Sequence, residues 1–171
     1  PKAEITGEIL YQGENLLEKS AEERRALLGH EMAMIYQDAL SSLNPAMLIR
    51  AQMKQLTSRG GTRSAEELLE LSGGQRQRVL IAMALTRDPK LIIADEPTTA
   101  LDVTVQKQVI ALLNELREKL GFAMIFVSHD LALVAEVAHH ITVMYAGQVI
   151  EQAPTKELLT HPTHEYTRGL L

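Results

Sequence analysis

The stretch from Leu91 to Asp102 constrains this 171-residue chain more than any other. Its first four residues are apolar and run into two adjacent carboxylates, Asp95 and Glu96, which Pro97 follows. An apolar run closed by a proline predicts a buried strand of a parallel sheet, because proline cannot donate to a neighbouring strand. Strand alternation would place the two carboxylates on opposite faces, so one could hold a metal while the other orients a water. Taken alone, the stretch could also be a charged strand end at the surface.

A second stretch, Leu71 to Gln75, reads Leu-Ser-Gly-Gly-Gln and precedes an apolar series with helical spacing. Ser72 is a suitable N-cap, and Gly73 and Gly74 would let backbone amides approach a ligand closely. Free amides at a helix N-terminus form an anion site. A capped helix with a flexible start is the simpler interpretation of the stretch alone. The position of this stretch ahead of the apolar strand that ends in Asp95 and Glu96 is a more specific signal than the stretch alone.

Polar residues follow two further predicted strands. Gln37 comes after Met32–Tyr36, and His129 comes after Phe122–Val127. The carboxyl ends of strands in an open α/β sheet are where ligands bind, and an imidazole there can hydrogen-bond a phosphate. Alone, Gln37 would be an ordinary loop amide, and a single His at a strand end is more often structural. The place of His129 after a second buried strand favours the functional interpretation.

Together these stretches resemble the ATP-binding cassette (ABC) ATPases. Five motifs occur in the order typical of that family: the Q-loop glutamine Gln37, the signature motif Leu71–Gln75, the Walker B strand Leu91–Glu96, the D-loop Ala100–Asp102 and the switch histidine His129. The wording of three stretches is most similar to the dipeptide/oligopeptide (peptide/nickel) importer branch: Asp95–Gln106, Met144–Gly147 and His161–Leu171.

The resemblance implies a P-loop NTPase-like α/β fold, an ABC nucleotide-binding domain with a mostly parallel sheet flanked by helices. Residues 1–171 would form one partial ABC ATPase domain. Its catalytic core would comprise about 1–45 and 72–171, and about 46–71 would be the remnant of a shortened helical subdomain. We expect segments to be missing around Thr57–Gly61 and just before Leu71 or Ser72.

The resemblance also implies the chemistry, which is transfer of the γ-phosphoryl group of ATP to water. Asp95 and Gln37 would hold Mg²⁺, Glu96 would orient and deprotonate the attacking water, and His129 would contact the γ-phosphate. The remaining residues implied to bind ATP are Ser72, Gly73, Gly74 and Gln75, which would reach the nucleotide of the opposite subunit, and Asp102, which would tie the subunits together.

The partners implied are a second ABC ATPase subunit, membrane permease subunits and, indirectly, a substrate-binding protein. The net charge of −5 argues against a general nucleic-acid binder. The chain has no cysteine, no signal peptide and no apolar run near the roughly 18 residues that span a bilayer. Together with these features, the resemblance implies a cytoplasmic protein, peripheral on the inner face of the cell membrane.

No Gly-x-x-x-x-Gly-Lys-Ser/Thr pattern occurs in the sequence, and no glycine precedes a lysine. The resemblance implies that this phosphate loop, the Walker A motif, lies upstream of Ile5, so we expect the chain alone to be inactive. Two other classes stay open. A soluble ABC-type ATPase of DNA repair or translation would carry coiled-coil insertions or tandem cassettes, and a non-hydrolytic fragment would bind without turnover.

Local patterns predict the remaining elements. Strands are expected at Ile5–Tyr11, Ile141–Tyr145 and Gln148–Glu151, with a turn at Gly13–Asn15 and helices at Arg24–Leu28, Ala46–Leu56, Leu131–Val137 and Thr155–Thr160. A capping box at Ser20 would start the first helix. Asp102 would cap a long helix whose apolar stripe ends before Gly121.

Overall fold

The computed structural model of the protein describes residues 5–36, 46–58, 76–99 and 101–171. The strands are β1 Leu10–Tyr11, β2 Glu14–Asn15, β3 Met32–Ile35, β4 Leu91–Asp95, β5 Ala123–Val127, β6 His140–Tyr145 and β7 Gln148–Pro154. The helices are α1 Ala21–His30, α2 Ile49–Thr57, α3 Arg76–Ala84, α4 Val103–Leu120, α5 Leu131–Val137, α6 Thr155–Thr160 and α7 Glu165–Leu170, and a 3₁₀ turn follows α3 at Leu85–Arg87.

Strands β3, β4 and β5 form a parallel sheet with β4 in the centre. The register places Ala94 of β4 opposite Ile35 of β3 and Phe126 of β5, so all three strands end at the same edge. This confirms the predicted parallel sheet, with the strand before the two carboxylates in the middle. The carboxyl edge of such a sheet is where ligands bind.

The main core forms between the sheet and the helices. Ile92 and Ala94 of β4 are completely buried, and they belong to one cluster with Val109 and Leu113 of α4. Fully burying a Leu or Ile side chain stabilises the fold by about 1.5–3 kcal/mol. The predicted apolar stripe of α4 is therefore confirmed as core, and it fixes this helix beside the central strand.

Side-chain caps fix the helix ends as predicted. Ser20 and Glu23 form a complete capping box at the start of α1. Asp102 accepts a hydrogen bond from the Val105 amide at the start of α4, and Gly121 ends that helix with φ of +72°. Glycine adopts this left-handed conformation at little cost, because it has no Cβ.

The predicted strand at Ile5–Tyr11 is wrong for its first five residues. Only Leu10 and Tyr11 are in a strand, and their partners are Asn15 and Glu14 in a two-residue ladder. The turn predicted at Gly13–Asn15 is accordingly shifted toward Gln12 and Gly13, which both have positive φ. A run with alternating polarity does not become a strand without a partner strand of matching length.

The C-terminal part is an antiparallel hairpin of β6 and β7 with two short helices. Leu158 of α6 is completely buried and packs in a cluster with Ile141 and Val143 of β6. Glu151 of β7 accepts hydrogen bonds from the backbone amide of Thr163 at 2.7 Å and from that of His164 at 3.1 Å. This carboxylate therefore joins the hairpin to the segment that leads into α7.

Among the helices in the described ranges, none is both long and apolar enough to cross a bilayer.

Candidate functional site

The carboxylates Asp95 and Glu96 lie at the end of the central strand. Asp95 is the last residue of β4, and Glu96 follows it with φ of +45°. Because Glu96 lies beyond the strand, strand alternation does not set the direction of its side chain, and the separation of the two carboxylates stays a prediction. A left-handed conformation costs a residue other than glycine on the order of 1–3 kcal/mol and is concentrated at functional sites.

Glu96 lies beside His129, which follows the neighbouring strand β5. The Nδ1 atom of His129 lies 3.2 Å from Oε1 of Glu96. The His129 side chain is 77% exposed and the Glu96 side chain is 25% exposed, so the imidazole can be reached from solvent. The structure thus brings together two of the predicted site residues, which lie 33 residues apart in the sequence.

The second oxygen of Glu96 is also engaged. The Thr99 hydroxyl donates to Oε2 at 2.6 Å. This hydrogen bond, followed by that from His129, lowers the pKa of the Glu96 carboxyl, because both favour the charged form. The lowered pKa favours the ionised form of Glu96, which is the form that can accept a proton.

His129 is positioned by the start of the helix that follows it. Asp130 is the N-cap of α5, and its Oδ1 accepts hydrogen bonds from the amides of Ala132 at 2.9 Å and Leu133 at 3.2 Å. The Asp130 amide donates to the Ser128 hydroxyl at 3.1 Å. The backbone on the C-terminal side of His129 is therefore fixed by α5, and the imidazole extends from this fixed point.

Asp102 is the N-cap of α4. Its Oδ1 accepts the Val105 amide at 3.0 Å, and the residue is exposed. The predicted capping role is therefore confirmed. A carboxylate that caps a helix keeps further lone pairs that could bind a partner. The role of Asp102 across a subunit interface stays a prediction.

Asp95 is the candidate ligand for a magnesium ion. It is half-buried at the carboxyl edge of the sheet, and a carboxylate oxygen is the donor that Mg²⁺ prefers. In the part of the chain that the structure describes, no group of three acidic, His or Cys side chains could form a complete metal cage. One carboxylate fits Mg²⁺, because this ion keeps several waters and takes its other ligands from substrate phosphates.

Glu96 and His129 line an open groove of about 740 Å³ between β5 and β6. Phe126 of β5 and Ile141 of β6 contribute apolar walls. The polar pair therefore lies on the wall of this groove.

The other predicted site residues lie outside the described ranges. They are Gln37, Ser72, Gly73, Gly74 and Gln75. Their assignment as ATP-binding residues stays a prediction, as does the contribution of Gln37 to the metal.

Sequence reasoning did not find Thr99 and Gln106. Thr99 donates to Glu96, and the Gln106 side chain donates to the Thr98 carbonyl at 3.1 Å. The available signal was the spacing, since a hydroxyl three residues after a carboxylate can reach back to it across a turn.

Comparison with known proteins identifies one family. The family described as ABC transporter matches residues 2–99. The dipeptide transport ATP-binding protein DppD of Escherichia coli is 44% identical over 195 residues, which cover all of this chain and 60% of that protein. The oligopeptide transport ATP-binding protein OppD of Bacillus subtilis is 43% identical over 189 residues, covering 96% of this chain and 53% of that protein.

A probable peptide ABC transporter ATP-binding protein of Sinorhizobium fredii is 41% identical over 191 residues, covering 98% of this chain and 57% of that protein. The chain thus spans little more than half the length of these relatives. Among solved structures, the dimeric ATP-binding cassette MJ0796 in a post-hydrolysis state bound to ADP and Pi matches with a TM-score of 0.72. That match has 24% identity and covers 88% of this chain and 74% of the other, which supports the fold.

Proposed function

Because this chain belongs to the ABC transporter family, we propose that it is part of the ATP-binding and hydrolysing subunit of an importer that takes up peptides. The observation that carries the proposal is the contact between Glu96 and His129 at the ends of two adjacent parallel strands. The relatives that cover nearly the whole chain are named as ATP-binding proteins of peptide transport.

In the proposed reaction, the ionised Glu96 orients a water and accepts its proton as that water attacks the γ-phosphate of ATP. His129, exposed beside Glu96, donates a hydrogen bond to the γ-phosphate. Asp95 would hold Mg²⁺, which when bound would supply positive charge beside the phosphates. Positioning and charge account for most of such catalysis, because the transferred group needs little covalent help.

We assign the remaining roles from the motifs. Gln37 would reach the magnesium ion, and the signature segment 72–75 would contact the nucleotide of an opposing subunit. Asp102, exposed at the start of α4, would lie at the interface between the two subunits. ATP would then be held between two ATPase subunits in head-to-tail arrangement, and permease subunits would carry the peptide across the membrane. The complex is expected at the cytoplasmic face of the membrane.

The 171 residues contain no phosphate-loop motif. We therefore assign hydrolysis to a protein that joins these residues to such a loop, and we expect the chain alone not to turn over ATP. We keep the division into a catalytic core and a shortened helical remnant at about 46–71 as part of the proposal. The alignment with the Sinorhizobium protein extends over 191 residues, more than the chain contains, so that relative has residues without a counterpart here.

Reconstitution tests the function. The full-length protein would be placed in liposomes with its permease subunits, and phosphate release and uptake of a labelled dipeptide would be followed together. Peptide uptake that depends on ATP and is lost in His129→Ala supports the proposal. His161→Ala, on the exposed segment after α6, is the matched control and should leave both rates unchanged. Phosphate release without any peptide uptake would instead favour a soluble ATPase of the same family.

A further inference from the structure

The segment Glu96–Thr99, here called the glutamate turn, is closed by two contacts between its first and last residues. The Thr99 amide donates to the Glu96 carbonyl at 3.1 Å, and the Thr99 hydroxyl donates to the Glu96 carboxylate at 2.6 Å. The backbone contact closes the turn, whereas the side-chain contact fixes which way the carboxylate points. With Oε2 held by Thr99, Oε1 is directed to His129.

The glutamate turn is also joined to helix α4. The carbonyl of Thr98 accepts hydrogen bonds from the side chain of Gln106 at 3.1 Å and from the amide of Leu101 at 3.2 Å. Thr98 is only 3% exposed, so its carbonyl needs protein donors in place of water. Gln106 lies in the first turn of α4, which Asp102 caps. The position of the turn therefore follows the position of this helix.

We propose that Thr99 and Gln106 are positioning residues for Glu96: Thr99 orients the carboxylate, and Gln106 sets the place of the turn relative to α4. The inference rests on the proposed role of Glu96 as the base. Neither side chain needs to touch the substrate. A base must be held to within about 0.5 Å of its working position, and a glutamate side chain with several rotatable bonds does not achieve this alone.

The arrangement has a consequence for communication between subunits. Asp102 lies four residues before Gln106 and is exposed at the proposed interface. A shift of the first turn of α4, produced by an opposing subunit, would move Gln106 and with it the Thr98 carbonyl. The glutamate turn thus gives a short physical connection from the interface to the carboxylate that handles the water.

The first test reads the position of Glu96 without using activity. The imidazole ¹⁵N signals of His129, assigned from the spectrum of His129→Gln, report the contact between Nδ1 and Oε1 at fixed neutral pH. Thr99→Val removes the hydroxyl at nearly constant shape and should shift these signals, whereas Thr99→Ser should restore them. Thr104→Val, on the exposed face of α4, is the control and should leave them unchanged. Unchanged His129 signals in Thr99→Val would overturn the inference.

The second test separates positioning from binding in the reconstituted full-length complex. Thr99→Val should lower kcat by about 10- to 100-fold with KM for ATP nearly unchanged, since a misplacement of about 1 Å can cost about 100-fold. Gln106→Met should lower kcat less, and Gln108→Met, an exposed neighbour on the same helix, should not lower it. A rise in KM at constant kcat would contradict the positioning role. If the unmodified complex does not hydrolyse ATP, the proposed function fails, and the His129 signals still decide the inference.

Discussion

The backbone amide of Glu96 donates to the carbonyl of Val127 at 2.9 Å, one hydrogen bond beyond the last paired residue of β4. Val127 is the last residue of β5, and His129 follows it two residues later. The main chain, and not the side chains, therefore brings the candidate base and the candidate phosphate ligand together. Because this bond joins backbone atoms, replacing the Glu96 side chain by that of glutamine should leave it in place.

Glu96→Gln should nearly abolish ATP turnover in the full-length protein while ATP stays bound and the dimer stays closed. A general base typically contributes about 10²–10⁴-fold, and the amide cannot accept the proton. The variant should fold normally because the backbone bond to Val127 does not depend on the side chain. Phosphate release at saturating ATP measures the loss, and Glu118→Gln on the exposed face of α4 is the control. Turnover close to that of the unmodified protein would refute the assignment of Glu96.

The 171-residue chain should run mostly as a monomer in gel filtration without nucleotide. The wording Thr98-Thr99-Ala100 resembles the first of the two ATPase subunits in peptide importers that use a pair, so we expect a different partner subunit in the cell. Mixing the full-length Glu96→Gln protein with that subunit and ATP should produce a heterodimer in gel filtration. A stable homodimer of the isolated chain would count against a heterodimeric assembly.

The isolated chain should bind ATP·Mg²⁺ no better than millimolar. A phosphate loop supplies several charge-assisted hydrogen bonds of about 1.5–3 kcal/mol each, and about 1.4 kcal/mol corresponds to tenfold in affinity. The amides of 72–75 would serve the nucleotide of a partner and would not compensate in a monomer. Isothermal titration calorimetry measures the affinity, and micromolar binding would reveal a phosphate site elsewhere in the 171 residues.

Glu151 should make the stability of the C-terminal hairpin depend on acid. Hydrogen bonding to the carboxylate, from the Thr163 amide above all, lowers the pKa of Glu151 from 4.5 to about 2. Because the folded state favours the ionised form, the stabilisation is complete above pH 4.5 and is lost as the pH falls toward 2. Glu151→Gln should therefore lower the free energy of unfolding at neutral pH.

Urea denaturation at a series of pH values measures this effect. The difference in unfolding free energy between the parent and Glu151→Gln should be constant at neutral pH and shrink across the acid range. Glu136→Gln, with an exposed side chain on α5, is the matched control and should show no such pH dependence. A difference that does not change with pH would mean that the charge of Glu151 is not what stabilises the segment.

Local signals predicted the parts of the fold that depend on a few neighbouring residues. The capping box of Ser20 and Glu23 requires only one turn of chain, and the apolar run of the strand Leu91–Asp95 is itself a signal of a buried strand. Prediction from the sequence failed where the formation of a strand depends on a partner strand that is distant in the chain. Ile5–Ile9 has strand-like alternation but pairs with no other strand among the described residues.

The site shows the same limit. Asp95, Glu96 and His129 were predicted as site residues because strand ends at a parallel sheet edge meet in space, and the contact between Glu96 and His129 agrees with this reasoning. The orientation of Glu96 could not be predicted, because it depends on a positive φ that a glutamate rarely adopts and on the Thr99 hydroxyl. Helix α7 was not predicted from the sequence.

At the end of the sheet opposite the candidate site, Glu31 makes contacts that join several segments of the chain. Its carbonyl accepts the amides of Lys90 at 2.8 Å and Leu91 at 3.1 Å, and its carboxylate contacts the Tyr11 hydroxyl and the Lys90 ammonium. This end lies on the order of 15 Å from the ligand edge, at about 3.3 Å per strand residue. Because the chain has no cysteine, a single Arg25→Cys on exposed α1 would give one unique attachment point. A fluorophore or surface tether placed there would label the chain at the end of the sheet away from Asp95, Glu96 and His129.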